Sequence, residues 1–152
     1  MAVYYLIGQP GSGKTTLAKS IMERRYFSNW FHIDGDDIRE LYDNKDYSKE
    51  GRIKNVMLAQ QIAQYLHSKG ENVLMSIVSP YKEQRDEFKK KIGDKLNEVY
   101  VHTSETRGKE SFFVEGYEQP TENYIDVCTD NISIDDCVDK IFRRKSPFTI
   151  NN

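Results

Sequence analysis

The sequence predicts an α/β protein, in which a five-stranded parallel sheet lies between two layers of helices as a three-layer α/β/α sandwich. Short apolar segments alternate along the chain with longer segments whose apolar residues recur at helical spacing. One short segment, 72–78, has an apolar centre typical of a strand that is covered on both faces. Because a connection through a helix joins parallel strands, the alternation favours parallel pairing throughout the sheet.

The first elements are predicted from local pattern. Residues 2–7 are apolar and rich in β-branched and aromatic side chains, so they form the first strand. Apolar residues on one helical face predict a helix over 16–25. The second strand, 30–33, ends in an acidic cluster at 34–37, which opens a short helix that continues through Leu41.

The middle of the chain contains the longest helix and the third strand. The helix is predicted over 49–69, where Gly70 ends it in the usual C-terminal way. The strand 72–78 is followed by a charged helix over 81–92. The residues that we assign to the apolar face of the long helix are Ile53, Val56, Met57, Ile62, Ala63 and Leu66.

The last predicted strands, 98–102 and 124–129, flank a polar segment without clear periodicity. We interpret this segment, 103–123, as a mobile and partly helical lid. A final helix is predicted over 133–144, with its first residue, a serine, as the N-cap. Residues 146–152 are expected to form a frayed tail.

Composition indicates a single soluble domain that spans residues 1–152. Hydrophobic and charged contents of 38% and 30% are ordinary, and a net charge of −2 gives no global basic field for nucleic acid. We expect a cytoplasmic protein, because the first strand leaves no room for a signal peptide and no apolar run could span a membrane. Cys128 and Cys137 suit a reducing compartment, and both are assigned to the core. A homodimer is compatible with the sequence.

The strongest functional signal follows the first strand directly. Residues 8–16 match the phosphate-binding loop, which is glycine, four residues, glycine, lysine and serine or threonine between a strand and a helix. Glycines let backbone N–H groups converge on one point, which the positive end of the helix also faces. The sequence therefore predicts the P-loop nucleoside triphosphate hydrolase fold with ATP and Mg²⁺ as cofactors. The residues assigned to the nucleotide are Gly8, Gln9, Pro10, Gly11, Ser12, Gly13, Lys14, Thr15 and Thr16.

Further candidate residues follow the other strands. Ligands of such sheets gather at the carboxyl ends of the strands, so we expect the loop, the acidic cluster 34–37, the dipeptide 79–80 and the lid to meet at one edge. In the loop, Lys14 can reach the β- and γ-phosphates, and the Thr15 hydroxyl can ligate Mg²⁺.

The acidic cluster offers the catalytic carboxylates. Phosphoryl transfer needs a group that orients or deprotonates the accepting hydroxyl, and Asp34 is best placed for this at the end of its strand. Asp36 is the second catalytic candidate, although it could serve only as an acidic residue at a helix N-terminus. One helical turn further on, Arg39 can present a bidentate fork to an anion.

Other candidates come from the helices and the lid. Arg52 and Asn55 share one face of the long helix and are candidates for substrate contact. Arg85 is expected to be a surface charge. In the lid, Arg107 and Lys109 could meet the charge of the transferring phosphoryl group. The neighbouring pair Phe112 and Phe113 could clamp a base, and we favour the alternative that the pair anchors the lid.

In order along the chain, the loop, Asp-Gly-Asp-Asp-Ile-Arg at 34–39, Arg52 with Asn55, and Ser-Ile-Val-Ser-Pro-Tyr at 76–81 resemble the adenylylsulfate kinase family. The resemblance covers roughly residues 2–144. It implies transfer of the ATP γ-phosphate to the 3′-hydroxyl of adenosine 5′-phosphosulfate with Mg²⁺. It also implies that Asp34 orients the hydroxyl. The residues that it assigns to the substrate are Asp34, Arg39, Arg52, Asn55, Ile77, Val78, Ser79 and Pro80.

Three features depart from the family pattern, and two other functions compete with it. Asp37 stands where the family usually has asparagine, Ile77 replaces a phenylalanine that helps to hold the adenine, and the lid is shortened. The loop and the acidic helix also resemble polynucleotide 5′-kinases, so a nucleic acid or modified base is the second acceptor considered. The third alternative is a nucleotide-binding regulatory module without turnover, which the intact Lys14, Thr15 and Asp34 disfavour.

Overall fold

The computed structural model describes residues 1–143, and its five strands form one sheet in which every neighbouring pair is parallel. Strand β1 (Val3–Ile7) lies at the centre, between β3 (Val73–Ser76) and β4 (Leu96–His102). Strands β2 (Phe31–Asp34) and β5 (Tyr124–Cys128) form the two edges. The predicted number and parallel direction of the strands are therefore confirmed.

The residues of β1 alternate between two hydrophobic cores, one on each face of the sheet. Val3, Tyr5 and Ile7 belong to one core, and Tyr4 and Leu6 belong to the other. This alternation follows from the two-residue period of a strand. Because both faces of β1 are covered, all of its residues are buried.

The helices divide between the same two cores. Helices α1 (Lys14–Met22) and α5 (Ile134–Arg143) pack on the face of Tyr4 and Leu6, whereas α2 (Gly35–Leu41), α3 (Lys49–Ser68) and α4 (Lys82–Ile92) pack on the opposite face. The predicted three-layer sandwich is thus confirmed. Within residues 1–143, no helix is both long and apolar enough to cross a membrane. Three short 3₁₀ helices complete the elements: Arg25–Phe27, Gly93–Lys95 and Glu110–Phe112.

Several element boundaries differ from the prediction. Helix α1 ends at Met22, because the chain turns there and then forms a 3₁₀ helix where the prediction extended the α-helix. Strand β3 ends at Ser76, and the following Ser79 has a left-handed backbone (φ 44°) that takes the chain out of the sheet. The predicted cap of α5 is confirmed, since the Ser133 hydroxyl accepts the N–H of Asp136 at 3.0 Å. The predicted tail, 146–152, lies outside the described residues.

Two residues of the predicted apolar face of α3 lie outside the core. Ile53 and Met57 are 36% and 40% exposed. They line a groove towards α4, beside the polar side chains of Gln60 and Gln64. The core face of α3 is formed instead by Val56, Ala59 and Ala63, which are fully or almost fully buried. Cys128 is likewise only half-buried, whereas Cys137 lies in the core as predicted.

Arg85 is not a surface charge, and the prediction for this residue is wrong. Its side chain is fully buried, with Nε 3.1 Å from a carboxylate oxygen of Glu98 on β4. The other two guanidinium nitrogens donate to the carbonyl oxygens of Ser79 at 2.9 Å and Glu118 at 2.6 Å. Lys89 binds the second carboxylate oxygen of Glu98 at 3.0 Å. Arg85 therefore ties α4 and β4 to the segment that follows β3.

We expect Arg85→Met to lower the free energy of unfolding by about 3 kcal/mol, because it leaves a buried carboxylate short of a partner. Urea unfolding followed by circular dichroism measures this loss. Lys90→Met is the matched control on the exposed side of α4, with an expected change below about 0.5 kcal/mol. Adding Glu98→Gln to Arg85→Met should restore part of the stability. Equal stability of Arg85→Met and the wild type would contradict this account of the ion pair.

Candidate active site

The carboxyl ends of the strands border one cavity of about 570 Å³. The loop after β1, the end of β2, the segment after β3 and the lid all contribute to its walls, so the four predicted features meet here. The predicted residues that line the cavity are Pro10, Gly11, Gly13, Lys14, Thr15, Thr16, Asp34, Asp36, Arg39, Arg52, Asn55, Ile77, Val78, Ser79, Pro80, Arg107 and Lys109. Gly8, Gln9 and Ser12 were predicted with them but are not part of the lining.

The phosphate-binding loop depends on glycine at its two ends. A Cβ on Gly8 would lie 2.1 Å from the carbonyl oxygen of Val101, so only glycine lets the loop pass so close to β4. Gly13 is the N-cap of α1 and has a left-handed backbone (φ 111°). Since a glycine has no side chain to cap the helix, the first N–H groups of α1 are left for a ligand.

The Lys14 side chain lies inside the loop that it follows. Its Nζ donates to the carbonyl oxygen of Gln9 at 2.9 Å, and the side chain is almost fully buried. Burial lowers the pKa of Lys14 to about 8, and the nearby carboxylates of Asp34 and Asp36 oppose this shift. The loop thus holds a partly desolvated ammonium group where a phosphate chain would supply the missing negative charge.

The Asp34 carboxylate is buried at the end of β2 and is held from several directions. Its Oδ1 accepts from Thr15 Oγ1 at 3.0 Å and from Ser76 Oγ at 2.6 Å. Its Oδ2 accepts the N–H of Asp36 at 3.2 Å, which makes Asp34 the N-cap of α2. Asp36 is exposed at the cavity in the first turn of that helix. Asp34 therefore serves as a helix cap and also lies beside the phosphate loop.

The wall of the cavity that α2 and α3 form carries two arginines, Arg39 and Arg52, with different contacts. The Arg39 guanidinium donates to the Asn44 and Asp46 carbonyl oxygens at 3.1 and 3.0 Å and lies 4.0 Å from the centre of the Tyr47 ring. It thus fixes the connection between α2 and α3. Within residues 1–143, the Arg52 side chain makes no hydrogen bond or ion pair, although it is half-buried at the cavity. Arg52 is therefore the cation of this wall that is available for an anionic ligand.

Asn55 presents an acceptor to the same wall. Its Nδ2 donates to the carbonyl oxygen of Gly35 at 3.2 Å, which fixes the orientation of the amide. Its Oδ1 is buried and has no partner within the described residues. A buried acceptor without a partner is unfavourable, so a donor from a ligand, such as a hydroxyl group, would stabilise this site.

Ser79 is fully buried, and its hydroxyl pairs with the hydroxyl of Tyr5. Gln60 donates to the same Tyr5 oxygen at 3.1 Å, and burial raises the pKa of Tyr5 to about 12. With the Arg85 guanidinium on its carbonyl oxygen, Ser79 is held in its left-handed conformation from both sides. Its hydroxyl is thus buried and paired with Tyr5, so Ser79 is unsuited to accept a phosphoryl group itself as a covalent intermediate.

The lid is docked on the phosphate loop. The Gln9 amide exchanges two hydrogen bonds with the backbone of Val114, at 2.9 and 2.8 Å. Arg107 donates to the carbonyl oxygens of Ser12 and Thr129 at 3.1 and 3.2 Å. Through these contacts the lid lies against the residues that would surround a triphosphate.

The aromatic pair of the lid does not anchor it, contrary to the prediction. Phe112 and Phe113 are 62% and 43% exposed, whereas Val114 is buried. Tyr117 supplies a second anchor, since its hydroxyl donates to the carbonyl oxygen of Val78 at 2.6 Å. Phe112 instead lines the mouth of the cavity near Lys109. The aliphatic residue beside the pair thus takes the place that was predicted for the aromatic rings.

A phosphate-binding loop with a buried carboxylate beside it, both at one cavity, defines a class: the protein is an ATP-dependent kinase with the P-loop fold. The family model of adenylylsulphate kinase matches residues 1–128. The chain therefore belongs to the adenylylsulphate kinase family, as the resemblance predicted.

The chain is similar to curated relatives of this family, and a solved structure shares its fold. An adenylyl-sulfate kinase of Oceanobacillus iheyensis is 30% identical over 92% of this chain and 81% of its own length. A cytidine diphosphoramidate kinase of Campylobacter jejuni is 25% identical over 82% of this chain and 76% of its own length. The structure of the Mycobacterium tuberculosis APS kinase in complex with AMPPNP and APS superposes with a TM-score of 0.77 at 22% identity, covering 93% of this chain and 95% of that one. The relatives from Oceanobacillus iheyensis and Campylobacter jejuni are named for two different nucleotides.

The lowered pKa of Lys14 predicts that ATP binding weakens above pH 8. There the free protein loses the ammonium proton, which a bound triphosphate would restore, so binding should take up a proton between about pH 8 and 10. The affinity should fall by at most about tenfold per pH unit in this window. Calorimetry at pH 9 in two buffers of different ionisation enthalpy measures the uptake. Lys14→Arg, which stays charged, should flatten the profile, and a flat profile in the wild type would contradict the prediction.

Two glycines with the same backbone angle test the docking of the lid. Gly11 and Gly108 both have φ +82°, so Gly→Ala costs about 1 kcal/mol of backbone strain at either position. A Cβ on Gly11 would also lie 2.9 Å from the Cβ of Lys109, whereas a Cβ on Gly108 meets nothing within 4 Å. Gly11→Ala should therefore speed tryptic cleavage of the lid without nucleotide, and Gly108→Ala should change it much less. Equal cleavage rates of the two variants would show that the lid is not docked on this loop.

Proposed function

We propose that this protein transfers the γ-phosphate of ATP to the 3′-hydroxyl of adenosine 5′-phosphosulfate. The observation that carries the proposal is the placement of the buried Asp34 carboxylate between the phosphate loop and the wall that bears Arg52 and Asn55. Phosphoryl transfer needs positioning and charge stabilisation more than covalent chemistry, and this cavity offers groups for both.

The donor side would hold the triphosphate. The N–H groups at the start of α1 and the Lys14 ammonium bind phosphate oxygens, and Arg107 and Lys109 lie on the lid above them. The Arg107 guanidinium donates to the carbonyl oxygen of Ser12, so its charge is near the phosphate chain. The stem of Lys109 lies against Gly11, and its ammonium group lies 5.8 Å from the centre of the Phe112 ring at the cavity. The lid also shields the reacting phosphoryl group from water.

The residues present fit a Mg²⁺ ion that arrives with the nucleotide. No group of three or more His, Cys, Asp or Glu side chains in residues 1–143 could hold a metal by itself. Mg²⁺ usually binds one or two protein oxygens together with substrate phosphates, and the Thr15 hydroxyl is available for this beside the Asp34 carboxylate. When bound, the ion would neutralise charge on the phosphate oxygens.

The acceptor side would place the hydroxyl against Asp34. The Oδ1 atom of Asp34 already accepts two hydrogen bonds, so Oδ2 is the oxygen that can accept the proton of the reacting hydroxyl. Arg52 would pair with the phosphosulfate, and the unpartnered Oδ1 of Asn55 would accept from a hydroxyl of the ribose. Arg39 contributes its charge while it holds the connection between α2 and α3.

The wall at Ile77 favours a second candidate, a kinase for another nucleotide. Ile77 is buried against Gly35, where a Cβ would lie 2.8 Å from its Cγ1, so no aromatic surface faces the base at this position. One relative is named as a cytidine diphosphoramidate kinase, that is, for a nucleotide with cytosine in place of adenine. The resemblance to polynucleotide 5′-kinases gives a further alternative, in which the acceptor is a hydroxyl of a nucleic acid or of a modified base.

An ADP-release assay over a panel of acceptors tests the proposal. With Mg-ATP, adenosine 5′-phosphosulfate should give turnover well above a cytidine nucleotide, a 5′-hydroxyl oligonucleotide and water. Asp34→Asn should lower kcat by about 10²- to 10⁴-fold while ATP still binds, and Lys14→Ala should weaken both binding and turnover. Asp126→Asn is the control, since Asp126 is a carboxylate on β5 outside the cavity. Turnover with another acceptor and none with the phosphosulfate would replace the proposed substrate.

A further inference from the structure

The strand register places a serine beside the catalytic carboxylate. In the parallel pair of β2 and β3, Asp34 lies opposite Ser76, so both side chains leave the sheet on the same face. His32 lies two residues before Asp34 on β2 and therefore shares this face. Neither His32 nor Ser76 lines the cavity, so both lie behind Asp34 as seen from a ligand.

These three side chains form a continuous hydrogen-bonded chain. His32 Nε2 lies 2.7 Å from Ser76 Oγ, and Ser76 Oγ lies 2.6 Å from Asp34 Oδ1. A carboxylate can only accept, and a serine hydroxyl has one proton to give. Ser76 therefore donates to Asp34 and accepts from the Nε2 proton of His32, which fixes the tautomer of the imidazole.

The neutral form of the imidazole is sufficient for this arrangement. Burial lowers the pKa of His32, and the charges of Asp34 and Asp37 oppose the shift. The chain then carries one net charge, on the carboxylate at its end. A chain of this kind polarises each hydrogen bond in turn and restricts the rotation of the terminal group.

Of the donors to Asp34 Oδ1, Ser76 is the one without a second task. Thr15 also donates to this oxygen, but it is assigned to the metal ion as well. The N–H of Asp36 donates to Oδ2 at 3.2 Å, a longer distance than the 2.6 Å from Ser76 to Oδ1. With a bound nucleotide, loss of the Ser76 hydroxyl would thus leave the N–H of Asp36 as the contact that still orients the carboxylate, which would be held less firmly.

We propose that His32 and Ser76 are positioning residues, which hold the Asp34 carboxylate so that its Oδ2 faces the acceptor hydroxyl. The inference rests on the proposed role of Asp34. Misplacement of a reacting group by about 1 Å can cost about 10²-fold in rate. We therefore expect Ser76→Ala to lower kcat between about 10- and 100-fold, with KM for ATP and acceptor changed by less than about twofold.

Conservative variants separate positioning from packing. Ser76→Thr keeps the hydroxyl and should recover most of the loss in kcat, and His32→Gln should recover most of the loss in His32→Leu by supplying an N–H donor. His102→Leu is the matched control, since His102 lies on β4 with Nε2 2.9 Å from the Asp126 carboxylate and outside the cavity. It should leave kcat unchanged. Unchanged kcat in Ser76→Ala, or an equal loss in Ser76→Ala and Ser76→Thr, would overturn the inference.

A double variant distinguishes failure of the inference from failure of the proposed function. If Ser76 acts through Asp34, then Ser76→Ala should have no further effect in the Asp34→Asn background. Additive effects would overturn the inference while Asp34 keeps its proposed role. If Asp34→Asn instead leaves kcat unchanged, the proposed function is overturned. Independently of activity, proton NMR of the free protein should show a slowly exchanging Nε2 proton of His32 that Ser76→Ala removes, and its absence from the wild type would also overturn the inference.

Discussion

The burial of the Asp34 carboxylate is the constraint on which the rest of the site depends. Its oxygens accept from α1 through Thr15, from β3 through Ser76 and from α2 through the N–H of Asp36. A buried carboxylate is stable only when such donors replace its water, so these three elements have to meet at one point. The same contacts hold the phosphate loop, the end of β3 and the start of α2 together at the cavity. The fold of the carboxyl edge and the chemistry proposed for it therefore share one set of hydrogen bonds.

A second buried network supports the other side of the cavity. The Arg85 guanidinium connects Glu98 on the central region of the sheet with the carbonyl oxygens of Ser79 and Glu118. It thereby holds both the left-handed turn after β3 and the end of the lid. Polar groups, rather than hydrophobic contacts alone, thus position this side of the cavity.

The sequence predicted those features that depend on local pattern. The phosphate loop, the acidic residues at the start of the short helix after the second strand and the alternation of strands and helices each involve residues that are close in the chain. The capping role of Asp34 was not among these predictions and comes from the structure. Arg85 was misplaced because its helix, 82–92, is strongly charged, and no periodicity separates this arginine from its exposed neighbours. Its burial depends on Glu98 and on two distant carbonyl groups, which only the folded chain brings together. Ile53 and Met57 were assigned to the apolar face of their helix together with the core residues, because periodicity cannot tell a groove between helices from the core face.

The contacts behind the site could not be predicted from the sequence for the same reason. The pairing of Asp34 with Ser76 depends on the order and register of β2 and β3, which the sequence does not encode in any short motif. The docking of the lid depends on Gln9, whose amide matches the backbone of Val114 from more than a hundred residues away. The strand pattern placed Asp34 correctly at the carboxyl end of the second strand. It gave no indication that His32 and Ser76 lie behind that residue.

A crystal structure with a non-hydrolysable ATP analogue and the acceptor would show directly whether Asp34 lies between the two substrates. We expect the triphosphate on the N–H groups between Gly8 and Thr15, with the accepting hydroxyl within about 3 Å of Asp34 Oδ2. The hydrogen bond between Ser76 and Asp34 should remain. A nucleotide bound elsewhere, with the loop filled by the protein's own side chains, would contradict the account. An acceptor hydroxyl held by another group, with Asp34 turned away from it, would contradict it equally.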